Sequence, residues 1–301
     1  MIRIGVISAY AHDDWHACRI VEAAARAADA DVDVLAPTDF AAEVEPDRAR
    51  VTVRGRDAAE WDLFLTPRAL GEEGDADVQL EIYRVLARSG ARLVNDVDAL
   101  LVAIDKFRTS WELARAGIPT PAARVVQSIE QARAALDELG DVVVKPVYGS
   151  LGIGVERVDG IERMAELVDA RGALYLQRFL DGAALDVRAF VVGGRVEAAM
   201  AREPRAGDFR GNASQGASAR PITLDASIEA MAIEATRAVG LDYSGVDLLV
   251  GAHGAEVIEV NGTPSFRGIY ETTGRDMAPL IVEHATAPFY RRRESEWRKA
   301  E

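Results

Sequence analysis

The chain has 301 residues, 49% apolar and 28% charged, which is ordinary globular material with enough length for two or three small domains around a shared cleft. No run approaches the roughly 18 consecutive apolar residues of a membrane-spanning helix, and the short apolar opening 4–7 is soon followed by Asp13 and Asp14, unlike a signal h-region. A formal charge of −14 repels nucleic acid and anionic membrane, and the one cysteine, Cys18, excludes an internal disulfide and a cysteine zinc site, so a cytoplasmic protein is expected.

In chain order, residues 3–8 read as a buried strand. A helix with Ile20, Val21 and Ala24 on one face follows, then a second strand over 32–35. This βαβ opening, with strands at 62–66 and 92–95 and a helix over 78–89, predicts a doubly wound parallel unit over residues 1–96. One long helix is expected over 98–116, stopped by Gly117, Pro119 and Pro121. Strands at 124–126, 141–145, 155–158 and 174–177, with a helix over 129–139, fill a central unit that extends to residue 180. The remainder, 181–301, predicts strands at 188–192 and 195–199 around the turn Gly193-Gly194. A helix over 227–239 and two last strands, 246–250 and 256–261, complete it. Residues 206–219, rich in Gly, Ser, Ala and Asn, read as a mobile loop, and Arg291 to Arg293 as a solvated helix end.

The last two strands carry the strongest chemistry. In a hairpin centred on His253, Asp247 and Glu259 lie opposite each other, each six residues from the centre; Asn261 shares the face of Glu259, and Ile258 and Val260 take the other. Two carboxylates and an amide, with no His or Cys, suit a hard cation such as Mg²⁺, the alternative being an exposed polar sheet face. Gly149, Gly152 and Gly154 follow a strand that ends at Lys145. Such glycines let backbone N–H groups turn toward phosphate, although a plain hairpin turn is also compatible. Lysine accounts for only three of the 35 basic residues (Lys106, Lys145, Lys299), so two internal lysines in an arginine chain suggest sites that need a compact point charge. Asp186 and Arg188 alternate on one strand, and this pair together with Arg202, Arg210 and Asn212 could form a polar site in which the three arginines are the local cations. His12 and His16, four apart, resemble half a zinc site, but a substrate-facing loop at the carboxyl end of a strand fits them better.

Taken together, these pieces resemble the ATP-grasp superfamily, in particular the RimK-like carboxylate–amine ligases. The resemblance spans nearly the whole chain: Asp105-Lys106-Phe107, the 117–121 stop, Lys145-Pro146 with the glycine loop, Gln177, Asp186 to Arg188, 208–212, Gly245 to Asp247, and Glu259 to Pro264. It implies an ATP-grasp fold of three subdomains (1–96, 97–180 and 181–301), with ATP between the last two. Lys106 and Lys145 would contact phosphates, and Gly149, Ser150, Gly152 and Gly154 would close over the γ-phosphate. Gln177, Arg178 and Phe179 would form a hinge whose backbone reads the adenine edge, and Asp186 would lie near ribose or phosphate. Asp247, Glu259 and Asn261 match the ligands of Mg²⁺, two ions being expected and Mn²⁺ a possible replacement. Arg188, Arg210 and Asn212 would serve the acyl phosphate. An acidic residue usually stands where Arg178 does, and the basic residue usual shortly after the asparagine is missing, the stretch here containing Gln215. The implied reaction joins an amino acid, glutamate by preference, to a carboxylate of a small cofactor or protein tail, in a homo-oligomer. A regulatory nucleotide-binding protein without turnover is the alternative, and D-Ala–D-Ala-like or biotin-carboxylase-like ligases share the fold.

Overall fold

The computed structural model describes residues 1–9, 14–27, 30–69, 73–147, 154–180, 185–203, 218–252 and 254–300. The amino-terminal unit is built on a parallel sheet of order β2-β1-β6-β7, from β1 (Ile2–Ser8), β2 (Ala30–Leu35), β6 (Leu63–Arg68) and β7 (Arg92–Val94), with helices α1 (Trp15–Arg26) and α2 (Ala76–Arg88). Between β2 and β6 lies a small antiparallel sheet, β3 (Phe40–Glu45), β4 (Arg48–Val53) and β5 (Arg56–Asp57), which the sequence reading did not anticipate. Its Phe40, Val51 and Val53 pack on Trp61, Phe64 and Tyr83, so it covers one face of the parallel sheet.

The expected helix over 98–116 is two helices, α3 (Val97–Ile104) and α4 (Lys106–Arg115). Asp105 causes the break: its Oδ1 accepts from the backbone N–H of Phe107 at 2.9 Å and of Arg108 at 3.0 Å, an N-cap that competes with continued helix. Lys106 is thereby the first residue of α4, and its N–H donates to the Val147 carbonyl at 3.3 Å. Leu100, Leu113 and Ile118 join the core of the carboxyl-terminal sheet.

The central sheet is antiparallel, of order β10-β9-β11-β8, from β8 (Ala123–Val126), β9 (Val142–Lys145), β10 (Glu156–Val158) and β11 (Leu174–Arg178), backed by α5 (Ile129–Leu139) and α6 (Ile161–Arg171). The third sheet has order β14-β13-β12-β15-β16 and comprises β12 (Leu185–Val192), β13 (Arg195–Glu203), β14 (Ser218–Pro221), β15 (Tyr243–Gly251) and β16 (Gly254–Asn261). Helix α7 (Ala226–Val239) packs on one face, while α8 (Arg267–Thr273) and α9 (Ala278–Ala300) serve the other. Of the expected mobile loop, 218 and 219 belong to β14 and the rest lies outside the described residues; the Arg291 to Arg293 run falls within α9. Among the described residues no helix is long and apolar enough to cross a membrane.

Asn95 ties the first unit to the third. Its fully buried side chain donates to the carbonyls of Tyr243 at 2.9 Å and Gly262 at 2.7 Å. It also accepts from the N–H groups of Asp242 at 2.8 Å and Tyr243 at 3.1 Å, which satisfies the amide completely. Removing it strands buried backbone groups at about 1–3 kcal/mol each. Asn95→Ala is expected to lose at least about 3 kcal/mol in urea denaturation, with an unchanged m value.

Candidate active site

Strand β12 alternates strictly. Val187, Ala189 and Val191 are buried on the α7 side, and Asp186, Arg188, Phe190 and Val192 take the other face. That second face is divided along its length. Phe190 and Val192 dock into a core shared with the amino-terminal sheet, Phe266, Ile269 and α9, whereas Asp186 and Arg188 lie beyond it. Strand β15 repeats the division, with Tyr243 in the apolar part and Asp247 opposite Arg188.

Hairpin β15–β16 delivers the third element, though not by the symmetric turn that the sequence suggested. Gly251 pairs with Gly254 and Leu248 with Val257, a register that alone would set Ile258 opposite Asp247 and turn Glu259 into the α7 core. The register shifts by one residue between Leu248 and Asp247, so Ile258 is an extra residue in β16. Asp247 then faces Glu259, and Gly245 faces Asn261. The apolar residues of β16 are accordingly Val257 and Val260, three apart, and not the expected Ile258 and Val260.

Around this face the charges interlock. Arg188 grips Asp247 with both arms of its fork, Nη2 lying 2.8 Å from Oδ2. Buried Arg202 donates through Nε to Asp186 at 3.0 Å and places Nη2 3.1 Å from Asp247 Oδ1. Burial alone would push the Asp247 carboxyl up, but Arg188 and Arg202 outweigh it and hold it below the usual carboxylate range. For Asp186 burial wins over Arg202, and its carboxyl is raised.

Both internal lysines reach the same place. Lys145, at the end of β9, donates to Gln177 Oε1 at 2.7 Å; burial lowers its ammonium pKa, and Glu259 pulls it back up. Lys106 Nζ stands 4.0 Å from Glu259 Oε1. Gln177 is itself held by the Tyr175 hydroxyl at 3.2 Å, which meets Ser110 Oγ at 2.7 Å. Burial pushes that phenol up to about 12, so it stays protonated. Sequence reasoning missed Tyr175 and Ser110, because a tyrosine in an apolar strand reads as core and a lone helical serine carries no signal.

At the expected hinge, the N–H of Arg178 is committed to the Ala122 carbonyl at 2.8 Å and that of Phe179 to Asp141 at 2.9 Å. These two residues therefore do not offer their N–H groups to a base edge. Arg178 places Nη2 3.4 Å from Glu256, and Phe179 lies under the Arg157 guanidinium, 4.0 Å from the ring centre. Gly154 has φ +71°, a conformation that favours glycine, and a Cβ there would stand 3.1 Å from Pro146 Cγ. Gly149, Ser150, Gly152, Arg210 and Asn212, with His12, lie outside the described residues. A cavity of about 240 Å³, lined by Leu100, Ile104, Glu259, Asn261 and Thr263, opens beside the polar face.

Among the described residues no three His, Cys, Asp or Glu side chains are grouped so as to hold a metal ion. A cation would rest on two carboxylates and the amide of Asn261, whose Nδ2 donates to the Gly245 carbonyl at 3.3 Å. That fixes which end of the amide is an acceptor for the site. The all-oxygen set fits a hard divalent ion.

A family model described as the RimK-like ATP-grasp domain matches residues 103–285. The tetrahydromethanopterin:alpha-L-glutamate ligase of Methanosarcina acetivorans is 35% identical over 68% of this chain and 74% of its own length. The ribosomal protein bS6–L-glutamate ligase of Salmonella schwarzengrund is 33% identical over 86% of this chain and 89% of its own. Among solved structures, a RimK domain ATP-grasp protein from Sphaerobacter thermophilus superposes with a TM-score of 0.68 at 21% identity, covering 94% of this chain and 99% of that one. The macrocyclase MdnC of Microcystis aeruginosa, bound with its precursor peptide, superposes at 0.72 with 15% identity, covering 95% and 100%. The two structures share the fold with this chain.

Arg202 lies between two buried carboxylates, so its removal should be felt as a stranded charge. Arg202→Met is expected to lose about 3 kcal/mol or more in urea denaturation at neutral pH, as for other broken buried pairs.

Proposed function

The chain belongs to the RimK-like ATP-grasp family, ligases that form carbon–nitrogen bonds, and from that premise we propose that it joins L-glutamate, as the amine, to a carboxylate of a small cofactor or protein tail. One observation carries the reading. The polar half of a single sheet face brings together Arg188, Arg202, Asp247 and Glu259, and the chain's two internal lysines reach it from the central unit and α4.

In this reading the acceptor carboxylate attacks the γ-phosphorus of ATP, ADP leaves, and the acyl phosphate is then opened by the amine with loss of phosphate. Lys145 and Lys106 neutralise phosphate oxygens as they approach, and Gln177, braced by Tyr175 and Ser110, aims Lys145 without cancelling its charge. Arg188, held on Asp247 through Nε and Nη2, is assigned to the acyl phosphate by its place on this face, and Arg202 is a second partner of that buried carboxylate. Asp186 holds Arg202 in place. Asp247, Glu259 and Asn261 would hold Mg²⁺, two ions being the expectation, which would offset the charge of the nucleotide's phosphates. The glycine loop and Arg210 and Asn212 are assigned to closure over the γ-phosphate and to the acyl phosphate by their positions in the sequence. Neither known glutamate acceptor of the relatives named above is excluded by the pattern, so tetrahydromethanopterin and ribosomal protein bS6 are the first carboxylates to test.

The test is ADP release from ATP and Mg²⁺ with each carboxylate and L-glutamate, with products read by mass. Release that requires both partners and a new condensed mass would establish the reaction. Lys145→Ala should weaken ADP binding about tenfold by calorimetry, the weight of one charge-assisted contact. Glu259→Gln should lower turnover on the order of 100-fold while the urea midpoint stays close to wild type. Wild-type turnover in that variant would sink the metal assignment.

A further inference from the structure

Outside the face just described, a cluster of titratable groups at the start of α1 spans two units. Asp14 caps α1 by accepting from the Ala17 N–H at 2.8 Å, and its other oxygen meets Arg68 Nε at 3.2 Å. His16, in the first turn of α1, points its Nε2 at Ser265 Oγ, 2.9 Å away on the segment that follows β16. Its Nδ1 is buried, makes no hydrogen bond, and stands 3.4 Å from Asp14 Oδ1. The ring is wedged edge-on between Trp15 and Phe266, so its orientation is fixed. It is 13% exposed, whereas Ser265 is exposed.

Two contacts place this cluster beside the reacting groups. Arg68 Nη1 donates to the carbonyl of Thr263 at 3.3 Å, and Thr263 lines the cavity that Glu259 and Asn261 also line. Pro264, the residue before Ser265, closes on Gly245 from the same side as Arg188: a Cβ on Gly245 would stand 2.9 Å from Pro264 Cβ and 2.8 Å from Arg188 Nη1. Asp14, His16 and Ser265 thus form an acid–imidazole–hydroxyl line that ends at the exposed Ser265, two residues from Thr263 of the cavity wall.

An amine arrives as ammonium and cannot attack until it loses a proton. We propose that Ser265 and His16 take that proton, and that the amine subsite therefore lies at the seam between the first turn of α1 and the 262–265 segment. The proposal rests on the ligase reading. In the step, an N–H bond of the ammonium breaks, its proton passes to Ser265 Oγ, and the hydroxyl proton passes to His16 Nε2. The freed lone pair forms the bond to the acyl carbon as the carbon–oxygen bond to phosphate breaks, and phosphate leaves with that electron pair. The protonated ring gains Asp14 as counter-charge at Nδ1. Asp14 and Arg68 are positioning residues. Charged groups facing the ring are Asp14, Arg68 and Arg267, and burial holds the imidazole below its usual pKa, so it is neutral and able to accept.

Hydroxylamine separates this role from a structural one, because it is largely neutral at neutral pH and opens an acyl phosphate without a base. Tetrahydromethanopterin, ribosomal protein bS6 and L-glutamate serve in turn as the carboxylate. His16→Asn is expected to lower amide formation with L-glutamate about 100-fold at pH 7. ATP-dependent hydroxamate formation should stay at the wild-type level, and the amide rate should recover as rising pH deprotonates the amine itself. Ser265→Ala should fall in the same direction by a smaller factor. Equal loss of amide and hydroxamate, or loss of neither, would overturn the proposal. If wild type forms no hydroxamate with any of the three, the ligase reading fails first, and this proposal with it.

Discussion

The unpaired residue Ile258 decides which face of the third sheet the chemistry occupies. The tight closure of β15–β16 sets one register, and that register would place Glu259 and Asn261 among the valines and leucines beneath α7. Burying an unpartnered carboxylate there would cost several kcal/mol, and Ile258 would replace it opposite Asp247. The bulge removes both faults together: it returns Glu259 and Asn261 to the face of Asp247 and brings Val260 onto the apolar side, where Val257 already lies. Everything else in the site is arranged around the pair so formed, since Lys106 and Lys145 face Glu259, and Arg188 and Arg202 hold Asp247.

One sheet face serves two purposes because its polarity changes along the strands. Phe190, Val192 and Tyr243 bind the first unit and α9, and Asn95 satisfies the backbone at that junction, so the amino-terminal unit is fixed against the carboxyl-terminal sheet. Two residues further along β12 the side chains become Arg188 and Asp186, and the same rigid ladder presents charge. Packed strands hold those groups where flexible loops would not, which is what preorganised electrostatics requires. The docking of the first unit also brings α1 to the 262–265 segment, so Asn95 on one side and the His16–Ser265 contact on the other hold the same junction.

Much of this was legible in the sequence, for physical reasons that differ by element. The apolar runs at 188–192 and 246–250 read as strands, and a turn centred on His253 predicts the opposition of Asp247 to Glu259. The opposition is real, yet it arises from a tighter closure and a bulge whose effects combine to the same pairing. A bulge leaves no mark in composition, and so the apolar face expected at Ile258 and Val260 is formed by Val257 and Val260 instead. The break at Asp105 was missed because the apolar periodicity of α3 runs on into α4, although an aspartate that can cap is a visible warning. Strands β3 to β5 escaped notice since they are short, alanine- and charge-rich, and earn their order only by packing on Phe64 and Tyr83.

The division between arginine and lysine has a physical basis in the partners each one holds. Arg188 and Arg202 lie on carboxylates, where a planar fork makes several parallel contacts and the two charges largely cancel. Lys145 instead donates to the neutral amide of Gln177 at 2.7 Å, so its position is fixed while its charge is left for a ligand. Burial works against that charge and lowers the ammonium pKa, and Glu259 opposes part of that shift. An arginine there would need more donors satisfied than the amide oxygen of Gln177 can serve. A chain that uses arginine for most of its cations thus keeps a lysine where the hydrogen-bond partner is a neutral amide, and arginines where the partners are carboxylates.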